Sequence, residues 1–405
     1  MAVPKLRFKG FISDWDSRKF SDTLSFLGTN SFSRDNMNLV SGSVKNIHYG
    51  DILVIYGNVL DTSCEQIPFV NEDVNISKIK EKDYLLSGDV IIADTAEDYT
   101  VGKATEIINS KGIKIIAGLH TQACRPKRKF AVGYLGNFVN SLAFRKQIRR
   151  IAQGTKVLSI IKKYIEDMEI HFPIEKEQQK ISDFLTTFDK RIIAQQNIIA
   201  DLEETKKGLL QKIFSQEIRF KDDNGQDYPK WETHRLSDYA EYVSSTACCE
   251  APCYLGTEDM ISNFGGVNIK KSQGNYSGYR FGKNNIILGN IRPYLKKCWI
   301  SDRQGICSTD LLVMNVKGIY PEILFMKMCT DEFVIYNMKG AKGTKMPRGD
   351  KKHIMNWTFR LPENGAEQQK IADFLSTFDK KITAEKQVLS DLQEMKKGLL
   401  QQMFV

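Results

Sequence analysis

Long apolar runs are the first thing this sequence lacks: nowhere do about 18 uninterrupted apolar residues occur, the length a membrane-spanning helix needs. The opening stretch MAVPKLRFKGFISDWD has no apolar core of signal-peptide length, so a cytoplasmic protein with no membrane among its partners is expected. Also missing are G-x-x-x-x-G-K-(S/T), any Gly-rich nucleotide loop, a Pro-Pro-aromatic methylase motif and an evident carboxylate–lysine nuclease cluster. No catalytic residue is assigned, and these absences agree with a chain that is not an enzyme by itself. Histidine is scarce at five residues, and the eight cysteines scatter except for Cys248, Cys249 and Cys253. CC-x3-C is not a usual zinc spacing and no histidine lies near it in sequence, so reduced thiols and no metal site are expected.

What is present is a chain of 405 residues, 41% hydrophobic and 10% aromatic, ample for packed cores and long enough for two or more domains. Its 58 Lys and Arg against 49 Asp and Glu leave a net charge of +9. Such an excess suits a polyanionic partner without resembling a disordered basic tail.

The chain is written twice. Residues 177–214 and 367–404 are related at a fixed offset of 190 with 24 identities in 38 positions. Further echoes extend the duplication. Ala152-Gln-Gly-Thr-Lys156 recurs as Ala341-Lys-Gly-Thr-Lys345, and Pro173 recurs as Pro362. Leu6-Arg-Phe-Lys9 matches Ile218-Arg-Phe-Lys221, and the stretch from Trp15 to Asp22 matches that from Trp231 to Asp238. The polar stretch DDNGQDYPK, 222–230, reads as a linker between the halves.

Within the repeated block, apolar residues fall at Ile181, Leu185, Phe188, Ile192, Ile199, Leu202, Leu209 and Ile213, and at the equivalent Ile371, Leu375, Phe378, Ile382, Leu389, Leu392, Leu399 and Met403. This is a heptad seam, interrupted by Gln195 and Lys206 in one copy and Glu385 and Lys396 in the other. A narrow seam buries itself against another helix, and the economical partner is the other copy, packed antiparallel about a pseudo-two-fold axis with the two preceding segments at opposite ends of a rod. A generic dimerisation stalk is the alternative. Gly208 and Gly398 sit inside the pattern despite a helix cost of about 1 kcal/mol each; close packing would account for them.

The two preceding segments agree at their ends and differ in their middles, as one fold carrying two different surfaces would. Asp51–Tyr56, Asp89–Ala93 and Asn285–Leu288 read as short buried strands between Gly, Asn and Asp turns. The expected fold class is α+β: two mixed α/β domains in tandem, separated by two long helices pairing as an antiparallel coiled coil. Basic residues cluster in both segments. In the first they are Lys103, then Arg125, Lys127, Arg128 and Lys129, then Arg145, Lys146, Arg149 and Arg150, with Lys156 in the A-x-G-T-K loop. In the second they are Lys270 and Lys271, then Arg280, then Arg292, Lys296 and Lys297 beside Tyr294, then Lys345 and Arg348. Such residues neutralise phosphates, and an arginine pairs with a guanine edge. A solvated basic face is the competing reading of each cluster; their presence in both copies favours DNA.

The pattern A-x-G-T-K, then Pro, then EQ-x-K-I-x-D-F-L-x-x-F-D-x-x-I, then K-K-G-L-L-Q, written twice with unlike segments before each, resembles the specificity subunits of type I restriction-modification systems. The opening PKLRF with Trp15 and the phrase RFKDDNGQDYPKW are similar to that family as well. The resemblance implies target recognition domains at 1–172 and 216–361, each reading one half of a split site on double-stranded DNA. It implies conserved helices at 173–215 and 362–405 that set the spacing and dock two modification subunits, with two restriction subunits joining for cleavage. S-adenosylmethionine, Mg and ATP would be used by those partners and not by this chain. One departure stands out: Thr155-Lys156 is followed by Val-Leu, whereas Thr344-Lys345 is followed by Met-Pro-Arg348. The alternatives are a stand-alone pseudo-dimeric DNA-binding regulator, a fused methyltransferase and a coiled-coil adaptor. Unlike segments argue against a palindrome-reading regulator, and missing motifs argue against the methyltransferase.

Overall fold

The computed structural model describes residues 3–64, 66–269 and 273–405. The chain divides into two compact units, one made of 1–196 with 387–405 and the other of 197–386. Each is described by itself.

In the first unit a five-stranded sheet runs in the order Leu24–Phe26, Thr121–Pro126, Val90–Ala93, Ala104–Ile108, Val59–Asp61. Its pairs are antiparallel except the last, and Val90–Ala93 is buried throughout, which is why that stretch reads as a continuous apolar run. A four-stranded sheet joins Ile115–Ala117, Lys45–Ile47, Phe69–Val70 and Met37–Asn38. The expected strand at 51–56 is absent: 51–54 belong to a helix, Tyr49–Val54, and 55–56 follow its end. A short apolar run has no periodicity that separates a strand from a buried helical turn. Here His48 Nδ1 accepts from the Gly50 N–H at the helix start, Ile52 and Tyr56 turn inward, and Val54 and Ile55 lie exposed.

In the second unit, Ala240–Tyr242, Leu311–Val316, Ile286–Gly289 and Cys298–Ile300 form one sheet, and Thr246–Ala251, Gly274–Phe281, Gly305–Cys307 and Tyr254–Leu255 form another. The expected strand at 285–288 is present as Ile286–Gly289. Both units share a two-stranded antiparallel ribbon, Asp16–Lys19 with Glu169–Phe172 in the first and Glu232–Arg235 with Thr358–Leu361 in the second.

The repeated block forms two long helices, Glu175–Phe214 and Gly365–Gln402. The opening E-Q-Q anchors each helix in the same way. Glu177, 1% exposed, accepts from Arg7 Nε at 2.7 Å and Nη2 at 2.8 Å. Glu367, also 1% exposed, accepts from Arg219 Nη2 at 3.0 Å and from Trp231 Nε1 at 3.0 Å. Gln178 Nε2 donates to the Pro173 carbonyl and its Oε1 accepts from the Ala131 N–H. Gln368 repeats both contacts with Pro362 and Tyr320. The duplicated Pro therefore holds the side chain that fixes the helix start.

In each unit one helix beginning meets one helix end, so the paired stretches run antiparallel. In the first unit Ile181 and Leu185 share a core with Leu399, Leu400, Met403 and Phe404, and Lys396 Nζ donates to Asp189. In the second unit Leu210, Ile213 and Phe214 share a core with Ile371 and Leu375, and Lys206 Nζ donates to Asp379 Oδ1 at 2.5 Å. The lysines that interrupt the apolar pattern are thus paired with the aspartate of the F-D-K motif, which limits their desolvation cost. The helix ends also enter the domain cores. Phe404 packs on Trp15, Tyr134 and Phe138, and Phe214 packs on Trp231. Leu6 N–H donates to the Gln402 carbonyl at 2.9 Å, joining the two chain ends within the first unit.

Close packing does not account for the two helix glycines: a Cβ built at Gly208 or Gly398 would meet nothing within 4 Å. Gly208→Ala and Gly398→Ala are each expected to raise stability by about 0.5–1 kcal/mol. Urea unfolding of the full chain checks this, and a fall in stability would reveal a demand on the backbone that alanine does not meet.

Candidate nucleic-acid interface

The basic residues separate into those held by the fold and those left open. In the first unit, Arg125 is fully engaged: Nε and Nη2 donate to the buried Asp89 at 2.9 and 2.7 Å, and further donors reach the Lys82 and Tyr84 carbonyls. Arg145 donates to the carbonyls of Val101 and Tyr99, and burial, with Arg149 nearby, pushes its guanidinium down to about 10. Lys103 donates to the Leu53 carbonyl at 3.0 Å, and burial lowers its ammonium. Lys127 donates to the Ser21 carbonyl and Lys129 pairs with Glu175. Arg128 lies 4.7 Å over the Phe172 ring and Arg149 lies 5.9 Å over that of Tyr99. Arg150 and Lys156 are exposed and carry no ion pair among the described residues. The amphipathic helix Leu142–Ile151, capped by Ser141, carries Arg149 and Arg150 directly into the A-x-G-T-K loop.

In the second unit, Arg280 Nη2 lies 3.1 Å from Cys249 Sγ, Lys296 pairs with Asp331 at 2.6 Å, and Lys297 donates to the Thr257 carbonyl at 2.8 Å. Arg348 Nη2 lies 3.3 Å from Asp310 Oδ1, while Arg292 and Lys345 are exposed with no ion pair among the described residues. Tyr294 is 47% exposed beside them. Lys270 and Lys271 lie outside the described residues.

The A-x-G-T-K loops are built alike. Gln153 and Ser159 exchange two backbone hydrogen bonds, at 2.9 and 2.8 Å, and Lys342 and Arg348 exchange two at 2.9 Å. Gly154 and Gly343 both have positive φ, at 125° and 96°. A Cβ at Gly154 would lie 1.9 Å from the Val157 carbonyl oxygen, so glycine is required there. In the second unit this loop is joined to a neighbouring one: the Arg292 N–H donates to the Pro347 carbonyl at 2.7 Å, and Ile291 bridges Arg348. Arg292 and Lys296 are both left-handed, with φ of 52° and 55°, a costly conformation for residues with a Cβ. They flank the short 3-10 turn Pro293–Leu295 and bring Arg292, Tyr294, Lys345 and Arg348 onto two stitched loops. The pairing of loops was beyond sequence reasoning, although the doubled A-x-G-T-K signal pointed at one of them.

Among the described residues, the one group of three side chains with metal-ligand spacing is Glu232, His234 and Glu363, with both glutamates exposed; Cys248, Cys249 and Cys253 form no such group. No helix among the described residues is long and apolar enough to cross a membrane.

A duplicated mixed α/β frame with two unlike basic faces, each tied to a long helix, defines a class of tandem-domain binding proteins. A family model described as "Type I restriction modification DNA specificity domain" matches residues 41–204 and again 217–394. The chain belongs to that family. It is 22% identical over 284 residues to the EcoDI type I restriction enzyme specificity subunit of Escherichia coli, covering 60% of this chain and 62% of that protein. It is 25% identical over 210 residues to the MjaVIII specificity subunit of Methanocaldococcus jannaschii, covering 47% of this chain and 46% of that protein. The matched stretches thus span less than two thirds of these curated relatives. The fold is similar to the crystal structure of a type I restriction-modification S subunit from M. genitalium, with TM-score 0.51 at 14% identity over 100% of this chain and 99% of that one. A second solved chain, from work on assembly and conformational transition of the type I R-M system, gives TM-score 0.56 at 13% identity over 96% of each.

Proposed function

We propose that this chain is the DNA-reading subunit of a type I restriction-modification complex, with 1–172 and 216–361 each reading one half of a bipartite, asymmetric target. The observation that carries this reading is the duplicated frame: two equivalent A-x-G-T-K loops on two otherwise different surfaces. One identical reader repeated would suit a palindrome; two different readers suit two different half-sites. The helices at 173–215 and 362–405 set the interval between half-sites and receive two methylase subunits. Adenine methylation from S-adenosylmethionine, and cleavage with Mg and ATP once two restriction subunits join, are the partners' chemistry. The first contacts to DNA are assigned to the open cations Arg150, Lys156, Arg292 and Lys345 and to Arg348, which stays exposed beside Asp310, because Arg125, Arg145 and Lys103 already spend their donors inside the fold.

Exchanging 239–340 for the corresponding middle of another such subunit is expected to change one half of the methylated sequence and leave the other intact. Long-read mapping of methylated adenines in cells carrying the chain and its methylase partner reads this directly. A change in both halves would sink the two-reader account, and modification of no defined sequence by the unaltered complex would sink the DNA-reading function.

A further inference from the structure

Arg348 differs from the open cations Arg150, Lys156, Arg292 and Lys345 in how much of the fold is spent on placing it. Its backbone is fixed twice, by the paired hydrogen bonds with Lys342 and by the bridge to Ile291 on the adjoining loop. The residues on both sides are braced as well: before it the Pro347 carbonyl accepts from the Arg292 N–H, and after it the Gly349 N–H donates to the Asn290 carbonyl and Asp350 accepts from Lys342 Nζ at 2.6 Å. The guanidinium itself is turned by Asp310, 3.3 Å from Nη2, with the arginine side chain still 59% exposed. One donor is therefore engaged by Asp310, and most of the side chain stays open to solvent.

A phosphate contact needs none of this, since a flexible, unpaired cation neutralises a phosphate, and the exposed Lys345 and Arg292 on the same two joined loops suit that role. A carboxylate close to a polyanion is unfavourable unless it improves something else. Holding a planar fork in one orientation is what bidentate pairing with the two acceptors of a guanine edge requires, and the lost side-chain freedom is then spent before DNA arrives. At the equivalent position the first unit has Ser159, in a loop with the same pair of backbone hydrogen bonds.

We infer that Arg348 reads a guanine in the half-site of the second unit and that Asp310 is its positioning residue. This rests on the DNA-reading function proposed above. The test uses the full chain together with its methylase partner, with Arg348→Lys, Arg348→Ala and Asp310→Asn compared by methylome mapping and by binding to duplexes at two salt concentrations. The unaltered complex is expected to require a G·C pair in the half-site that follows the 239–340 exchange. Arg348→Lys, which keeps the charge and loses the fork, should relax that one pair by roughly 10- to 100-fold, as should Arg348→Ala. Asp310→Asn should relax the same pair less, with the melting temperature unchanged and binding to unrelated duplex no weaker, since a repelling carboxylate has been removed. If Arg348→Lys leaves the motif intact while Arg348→Ala weakens all sequences equally and flattens the salt dependence, Arg348 is a phosphate contact and the inference fails while the DNA-reading function stands. Unchanged discrimination in Asp310→Asn beside a relaxed Arg348→Lys would remove the role of Asp310. If the unaltered complex modifies no defined sequence, both fall.

Discussion

Glu367→Ala is expected to cost about 3–5 kcal/mol, the scale for removing one partner of a buried ion pair. Glu367 is 1% exposed and receives Arg219 and the Trp231 indole on the same oxygen, so alanine leaves the buried indole N–H without its acceptor and takes from Arg219 its counter-charge, with only the Tyr228 and Pro229 carbonyls left to it. Glu177→Ala should cost a similar amount through Arg7, whose side chain is only 13% exposed. The glutamine variants should separate the two sites. At Glu367 both short contacts fall on Oε1, and a glutamine oxygen replaces it, leaving only the 3.3 Å contact from Arg219 to Oε2 unmet. At Glu177 each oxygen takes its own arginine donor, at 2.7 and 2.8 Å, so a glutamine sets its amide N–H against one of them. Glu177→Gln should therefore be the more destabilising, by about 1 kcal/mol or more, the scale of one lost charged hydrogen bond. Urea unfolding followed by tryptophan fluorescence gives the ranking; equal costs for the two glutamine variants would contradict the difference in bonding.

How much of this was legible beforehand differs from element to element. The long helices were, because 24 identities and a shared apolar pattern are local properties of two sequence blocks. The function of their E-Q-Q openings was not. Glu177 meets Arg7 and Glu367 meets Arg219 across 170 and 148 residues of chain, and no periodicity reports such a pairing. The apolar stretch 51–56 was misread because four consecutive apolar residues suit a strand or a helical turn equally, and only packing decides. The basic clusters were legible as clusters and no further. Arg125 and Arg128 stand three residues apart, yet the first is tied to Asp89 and the second lies half-exposed over Phe172. Charge counting is blind to a carboxylate that arrives from a distant turn, as Asp89 does just ahead of Val90–Ala93. The A-x-G-T-K loop was visible because it is duplicated, whereas its join to Arg292 depends on a left-handed backbone that an arginine does not advertise.

Leu375→Asp and Leu185→Asp are expected to abolish folding of the unit that contains each residue. Both leucines are fully buried, Leu375 in a core with Trp231, Trp357 and Phe333, and Leu185 in one with Phe138, Met403 and Phe404. Losing a buried leucine removes about 2–5 kcal/mol, and an unpaired carboxylate in an apolar surrounding adds several more before protonation limits the penalty. The sum is comparable to the whole stability of a domain, about 5–15 kcal/mol. The control lies on the same helices: Ile193 and Val388 are 55% and 45% exposed, so Ile193→Asp and Val388→Asp should shift stability by no more than about half a kcal/mol. All four positions are apolar in sequence, and the antiparallel packing alone distinguishes them. Circular dichroism and limited proteolysis of the four variants decide between this packing and a stalk that buries another face; wild-type melting in Leu375→Asp, or collapse in Val388→Asp, would show that the seam has been assigned to the wrong side of the helices.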